Sequence, residues 1–422
     1  MTGQDRPKAI VIGAGIVGSC CALQLQRDGF AVTMLDPAGF GRGCTEGTAG
    51  IFATGHIFPA ATEGAVRQFL AAASRDSLDS PVIDKASLPA LLPWFSALAA
   101  SAAPPRAAVA GAVLQALLPL AIPHMKTLLG ETTFAAFMHK RGWLYVYETE
   151  DDFQRTSGER DARRRAGIAV EELDGAALHR LEPGLPKRFR RAALLPDIVQ
   201  VPDLDGLLRA VGDAALAEGA VLRNEAADAI ACLDDGSFVV EAGGERLCAS
   251  LVVVAAGPRS ARFVARLGLD VPHSPERGYS VTLPHAGVTL SRPVSFARQK
   301  MVAASMRGGL RLTSTAEFTD AQTPPDYRHV ERQLAFAREM FGASTEGAGR
   351  WHGDRSATPD GLPVIGPVPG NKRLILAYGH GHLGLTLAGV TATLVAALAG
   401  GRPAPIDMAP FRPERFPLVP AA

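Results

Sequence analysis

Residues 8–18 read KAIVIGAGIVG, and the next apolar run, AVTML, closes on Asp36. No other stretch constrains the fold as much. The run Ala9–Ile12 predicts a buried strand, Gly13-x-Gly15-x-x-Gly18 a tight turn into a helix reaching about Asp28, and AVTML a second strand. Gly13 permits the turn. Gly15 lets a pyrophosphate approach the backbone where the helix begins and its amides lack partners. Gly18 lets helix and strand pack closely, and Asp36 stands where a carboxylate can bond a ribose hydroxyl. Ile16 and Val17, between the last two glycines, belong to the same site. The glycine pattern alone is a weak signal. With a strand before it, a helix after it and an acid at the right distance, it predicts dinucleotide binding.

The 422 residues suffice for one large core or two coupled domains. A net charge of +1 provides no basic field for nucleic acid. With 47% hydrophobic and 20% charged residues, the chain is globular rather than disordered. Five cysteines, an odd number without a CxxC pair, predict free thiols in a reducing, cytoplasmic compartment. The polar start MTGQDRPK runs straight into the first strand and does not read as a secretory signal. Ala107–Pro123 is uncharged but slightly short for a span, and Pro119 and Pro123 interrupt it. It reads either as a buried helix or as a surface helix dipping into a bilayer.

The organisation along the chain is discontinuous. Residues 61–130 are helical in pattern, and 143–147 (WLYVY) alternate like a strand. Arg160, Arg163, Arg164 and Arg165 are expected on a solvated helix face. Residues 203–218 form an amphipathic helix. The short runs Ala220–Leu222, Ala226–Leu233, Phe238–Ala242 and Arg246–Ala249, split by turn signals, suggest an antiparallel meander. Leu251–Ala256 is a continuous apolar strand, and the chain closes on the strand Leu374–Tyr378, the segment GHGHLGLT and an Ala-rich helix to Ala399. The nucleotide-binding pieces therefore fall in 1–61, 196–264 and 349–422. The intervening 62–195 and 265–348 would form a second domain.

Landmarks spread over nearly the whole chain carry a resemblance. They are VIGAGIVG at 11–18, TAG at 48–50, VVVAAG at 252–257, ERGY at 276–279, GLRLTSTAEF at 309–318, TPDGLPVIGP at 358–367 and GHGHLGLT at 379–386. The chain resembles the D-amino acid oxidase superfamily of FAD-dependent oxidoreductases, and within it the bacterial D-amino acid and D-hydroxyproline dehydrogenases. The resemblance implies an α/β fold: a Rossmann-type FAD-binding domain built from discontinuous segments, plus an α+β substrate domain with an antiparallel sheet. It places Thr45, Ala49, Gly50 and Ile51 along the path from diphosphate to flavin ring, the Ala227 backbone near the adenine, and Gly257 near the diphosphate. Gly381, His382, Leu383, Gly384, Leu385 and Thr386 would open a helix whose free amides face the developing charge of the reduced ring.

Arg355 matches the family's carboxylate-binding arginine, a role that suits a planar guanidinium. Tyr279 falls where relatives line the substrate pocket, and is either a pocket residue or a core tyrosine. His56 and His382 are either structural or substrate contacts. Glu276 and Arg277 read as paired within the structure. The implied chemistry is oxidation of a D-amino acid, including cyclic ones such as D-proline and D-hydroxyproline, by hydride transfer to flavin N5. Electrons would pass to a quinone or another acceptor. An oxygen-using oxidase of glycine or sarcosine and a non-catalytic flavin-binding subunit are the alternatives. In some members of that superfamily the flavin is tethered to a histidine just before the AG pair or to a cysteine near the C-terminus; here Gly47 and Thr48 precede Ala49-Gly50 and no cysteine follows Cys248, so the resemblance implies FAD held non-covalently. The family's use of quinones, with Ala107–Pro123, implies peripheral contact with the inner face of the cytoplasmic membrane.

The chain departs from the family pattern in CTEGTAG at 44–50, in Arg355-Ser356-Ala357 before Thr358-Pro359-Asp360, and in Ser280 after Tyr279. The first departure leaves Cys44 either redox-active or simply packed in the cofactor loop.

Overall fold

Strand Lys8–Ile12 runs parallel to Ala31–Leu35 on one side and to Leu251–Val254 on the other, with Ile12 level with both Leu35 and Val254. In the computed structural model, which describes residues 6–416 except 75–77, 79–80 and 270, this trio is the centre of a six-stranded sheet. Val221–Arg223 extends the sheet beyond Ala31–Leu35. Asn371–Tyr378 and then the antiparallel Val364–Val368 extend it beyond Leu251–Val254. The strands read as unbroken apolar runs because both faces are covered. Ala9 and Val11 face helices Ile16–Arg27 and Gly384–Ala399, which pack against each other. Ile10 and Ile12 face Phe238, Val240 and Phe263 on the opposite side.

The two outer glycines of the motif are needed for packing. Gly13 has φ +103°, and a Cβ there would lie 2.5 Å from the Ala255 carbonyl oxygen. A Cβ on Gly18 would lie 1.9 Å from the Gly13 carbonyl oxygen. The expected meander forms from Ala227–Cys232, Phe238–Ala242 and Glu245–Ala249. The run expected as its first strand does not join it. Val221–Arg223 is instead the parallel edge of the main sheet, fed by helix Leu204–Ala217.

The second domain is built on a nine-stranded, mainly antiparallel sheet. Its long strands, Ser274–Leu283 and Gly309–Phe318, pair with each other. Helix Arg328–Phe341 covers them with Leu334 and Phe336 over Val281 and Leu312. One boundary differs from the sequence expectation. Gly349–Ala357, assigned above to the third nucleotide-binding segment, pairs along its whole length with Ser274–Leu283. The chain re-enters the nucleotide-binding sheet only at Val364.

The arginine run on helix Ser157–Arg165 is not a uniformly solvated face. Arg160 and Arg163 are buried. Arg160 lies 3.6 Å over the Phe153 ring and bonds Glu172, whereas Arg163 donates to the Gly55 carbonyl and lies over Phe58. For Arg163, partners more than a hundred residues away decided the burial.

Ala107–Pro123 spans helix Pro104–Leu117, the turn Leu118–Leu120 and the start of helix Ala121–Leu129. Leu114, Leu117 and Leu118 are buried on one side, and Val109 is 60% exposed on the other. Pro104–Leu129 and Gly381–Ala399 are both long and apolar enough to cross a membrane, but their most apolar windows are 39% and 72% buried respectively. The second is a core helix.

Replacing Gly18 with Ala should lower the unfolding free energy by about 1–3 kcal/mol, read from the urea midpoint. Gly158→Ala, in helix Ser157–Arg165 with nothing within 4 Å of the new Cβ, should leave that midpoint unchanged or raise it.

Candidate active site

A cleft of about 1110 Å³ opens where the carboxyl ends of the parallel strands meet the second domain. That is where ligands bind in open α/β sheets. Gly13, Gly15, Ile16, Val17, Asp36 and Thr45 line it from the first segment, and Ala227 and Gly257 from the middle one. Gly381 and Gly384 line it from the last, and Arg355 lines it from strand Gly349–Ala357 of the second domain. The chain thus brings together residues from its beginning, middle and end.

Two helix N-termini converge on this cleft. Helix Ile16–Arg27 begins at Gly15 and helix Gly384–Ala399 at Leu383, and neither has a capping side chain. Their first amides and positive dipole ends are therefore available to an anion. Arg259 and Arg262 add positive charge to the cleft wall, although Arg262 also donates to the Ala227 carbonyl. Asp36 accepts from the Ala14 amide at 2.9 Å and the Ala38 amide at 3.0 Å, which fixes its carboxylate at the cleft edge.

The cleft passes a direct test for a bound dinucleotide. A Cβ on Gly15 would meet nothing within 4 Å, and Gly15 has φ −65°, which any residue adopts. Neither packing nor backbone strain requires glycine there, so the space is kept for something that approaches the backbone. The Ser356 hydroxyl, on the same cleft, is buried without a protein partner.

Not every expected residue faces the cleft. Gly18 serves helix packing. Ala49 is buried, Gly50 lies against the Val201 carbonyl at φ +68°, and Ile51 starts the short strand paired with Val199–Gln200. They brace the cofactor loop from behind, with Arg311 donating to the Glu46 and Thr48 carbonyls. Leu385 is packed in the main core, and the Thr386 hydroxyl accepts from the Ala53 amide at 3.0 Å. Cys44 donates to the Asp354 carbonyl, and burial pushes its thiol up to about 11. A thiol held protonated in this way favours the packed reading, with Cys44 half-buried at the edge of the cleft.

Tyr279 is corrected by the structure. It is 1% exposed and lines neither the cleft nor the smaller chamber that adjoins it. Its hydroxyl donates to Glu317 at 2.5 Å and accepts from the Asp326 amide at 2.8 Å, while its ring stacks on His329. It is a core tyrosine of the second domain. Arg277 is also structural, paired with Asp354 at 2.9 Å.

A smaller chamber of about 250 Å³ adjoins the cleft and shares Trp94, Gly379, His380 and Gly381 with it. Phe58, Phe69, Leu98, Leu114 and Phe318 make it apolar, and His56, His382, Leu383 and Glu276 face it too. Glu276 sits at the join, bonded to Arg355 at 3.0 Å and to His382 at 2.6 Å. Burial works to raise its pKa, but His382 and then Arg355 outweigh that and hold it at about 2. Burial holds His56 and His380 down to about 4, so both are neutral near pH 7. The aromatic wall (Trp94, Phe69, Phe318) was not singled out from the sequence. Its local signals were the helical pattern over 61–130, which holds Phe69 and Trp94, and the landmark GLRLTSTAEF, which ends on Phe318.

These groups set a pH dependence. Unfolded histidines take up protons near pH 6.5, whereas folded His56 and His380 resist until about 4. Their stabilisation is complete above pH 6.5 and is lost as pH falls towards 4. Glu276 adds a loss in the same direction, from its ordinary value of 4.5 down to about 2. The urea midpoint should therefore drop between pH 7 and pH 5 and continue down below pH 4.5. A flat profile from pH 7 to 5 would contradict the burial of these histidines.

Comparisons with known proteins agree with this geometry. The family profile of the FAD dependent oxidoreductases called DAO matches residues 8–398. A D-amino-acid oxidase of Bradyrhizobium diazoefficiens is 28% identical over 414 residues, covering 96% of this chain and 98% of its own. A D-amino acid dehydrogenase 2 of Ralstonia nicotianae is 30% identical, covering 95% and 98%. In fold, the chain is similar to glycine oxidase from Geobacillus kaustophilus, with a TM-score of 0.72 at 23% identity over 97% of this chain and 99% of that one. With its dinucleotide cleft, its two open helix ends and a profile match over nearly its whole length, the chain belongs to the DAO family of FAD-dependent oxidoreductases.

Proposed function

We propose that this protein is an FAD-dependent dehydrogenase that oxidises the Cα–N bond of a D-amino acid. The observation that carries the reading is Arg355, a guanidinium that lines the dinucleotide cleft and is bonded to Glu276, which lines the adjoining apolar chamber. A planar fork in that position suits a substrate α-carboxylate. The chamber takes the side chain, and its neutral His56 and His380 leave the substrate amine without a competing positive charge from either. When bound, FAD supplies the two-electron sink for the hydride leaving the α-carbon. The protein's own contribution is orientation and the exclusion of water by Phe69, Trp94 and Phe318. The product is an imino acid, which hydrolyses to a 2-oxo acid or persists when cyclic.

Relatives named D-amino acid dehydrogenase and D-amino-acid oxidase, each matched over almost the full chain, support this substrate class. The chamber argues against glycine, which has no side chain to fill space walled by three aromatic rings. FAD is held without a covalent bond, since Gly47 and Thr48 precede Ala49 and no cysteine follows Cys248. A quinone or another carrier takes the electrons. The second reading, oxygen as acceptor, has support in the relative named as an oxidase.

The deciding experiment follows the flavin band anaerobically while D- and L-amino acids, proline analogues and sarcosine are added. Bleaching by D-isomers is expected, and Arg355→Ala should raise KM roughly 10–100-fold. A yellow protein that no amino acid bleaches would refute the substrate class and favour a non-catalytic subunit. Hydrogen peroxide released at the turnover rate in air would assign the oxidase reading.

The same proposal places the protein peripherally on the inner face of the cytoplasmic membrane. Leu70, Leu92 and Val109, 68%, 58% and 60% exposed, lie on helices Glu63–Ala73, Leu88–Ser101 and Pro104–Leu117, which also supply residues to the chamber. Between Lys85 and Lys126 the only Lys, Arg, Asp or Glu is Arg106. Co-sedimentation with liposomes at low salt is expected, and Leu92→Glu with Val109→Glu should abolish it. Absence of any liposome binding would refute the placement.

A further inference from the structure

Three polar side chains from separate stretches meet on the wall between cleft and chamber. Glu276 comes from strand Ser274–Leu283, Arg355 from Gly349–Ala357 and His382 from the turn Gly381–Leu383. Glu276 and Arg355 are direct partners across the antiparallel ladder. One carboxylate oxygen, Oε1, serves both neighbours, taking Nη1 of Arg355 at 3.0 Å and Nε2 of His382 at 2.6 Å. Glu276 is only 5% exposed. Among the hydrogen bonds of the described residues, this is the one that holds the Arg355 guanidinium. Beneath it lies Gly278, where a Cβ would fall 2.3 Å from Nη2. The guanidinium is thus laid against bare backbone and fastened at one nitrogen.

We propose that Glu276 is a positioning residue for substrate recognition. It holds Nη1 so that the remaining N–H donors of Arg355 are presented to the substrate carboxylate, and through His382 it ties the cofactor-side turn to the same point. The inference rests on the reading of Arg355 as the carboxylate clamp. Its physical basis is the shape of the fork. A guanidinium carries five N–H donors in one plane, so an anion bonded to Nη1 leaves others for a second carboxylate. Without Glu276, Arg355 has no fixed partner and must be ordered anew at each binding event, at the expense of affinity. Glu276 also joins a strand of the second domain to a turn of the nucleotide-binding domain, so it sets the clamp relative to the place where the cofactor lies.

Charge alone makes the opposite prediction, and this gives the test its sign. A bare electrostatic site becomes more cationic when Glu276 is neutralised, so Glu276→Gln would bind anions more tightly. A positioned fork loses its orientation and binds them more weakly. The probes are benzoate and its uncharged isostere benzamide, titrated into the FAD-loaded full chain and followed by perturbation of the visible flavin band. The parent should prefer benzoate. Arg355→Lys and Glu276→Gln should each cut that preference about fivefold or more, and the double variant should be no worse than the single ones, because the two residues act as one unit.

A benzoate preference that is unchanged or larger in Glu276→Gln, while Arg355→Lys loses it, overturns the proposal and leaves the clamp standing. No preference in the parent, or an undiminished one in Arg355→Lys, overturns the clamp itself and the proposal with it. If Glu276→Gln fails to retain FAD, Glu276→Asp takes its place with the same expected loss, since its shorter arm cannot reach both partners. If neither variant retains FAD, Glu276 is a folding residue and the proposal is wrong.

Discussion

The contact on which the rest of the structure depends is the approach of helix Ile16–Arg27 to the turn at Gly13. A methyl group on Gly18 would lie 1.9 Å from the Gly13 carbonyl oxygen, so only a glycine allows the helix to start this close to the strand. That closeness aims the helix's unpartnered amides into the cleft. Helix Gly384–Ala399 then packs against Ile16–Arg27 and brings a second uncapped N-terminus to the same space. Two positive helix ends with no side chain to satisfy them are costly unless solvent or an anion does so. The cleft is therefore shaped for a negatively charged ligand before any charged residue is counted.

The substrate side depends on a different constraint, a chain crossing between two sheets. Gly349–Ala357 is an edge strand of the second domain, and Val364–Val368 is an edge strand of the nucleotide-binding sheet. Arg355 lies near the end of the first, shortly before the chain crosses. Ala357 is fixed at that point by a bridge to His380 and by the Trp94 indole N–H, which donates to its carbonyl at 3.0 Å. The crossing thus joins the aromatic wall of the chamber to the backbone that carries the arginine. Side chains from both domains contribute to one wall, which suits a reaction that needs its two reactants held in register.

Much of this was legible locally. The glycine spacing, the strand before it and Asp36 after it predicted the parallel core and the cleft, because a turn with positive φ and a close helix approach each demand a residue type at a set position. The meander was legible from its turn signals, apart from its first run. Val221–Arg223 has the same short apolar look whether it closes a meander or edges a parallel sheet. Arg160 and Arg163 were misread for a similar reason. A helical run of arginines is ordinarily solvated, but the Phe153 ring and Glu172 bury Arg160, and the rings of Phe58 and Tyr145 with the carbonyl of Gly55 bury Arg163. Tyr279 sits beside a motif shared with pocket-lining positions, but Glu317 and His329 draw its side chain into the core.

By itself the sequence determined the nucleotide-binding fold and pointed to Arg355 as the residue to watch. Each follows from patterns within a few residues of one another or from a motif shared with relatives. Only the tertiary structure decided which domain holds Gly349–Ala357, which side chains wall the chamber and what holds the arginine in place. Glu276 and Arg355 are 79 positions apart in the chain and adjacent across a sheet. Strand register, set by the burial of whole faces, brings them together, and no spacing of residues along one strand encodes the partner it will meet.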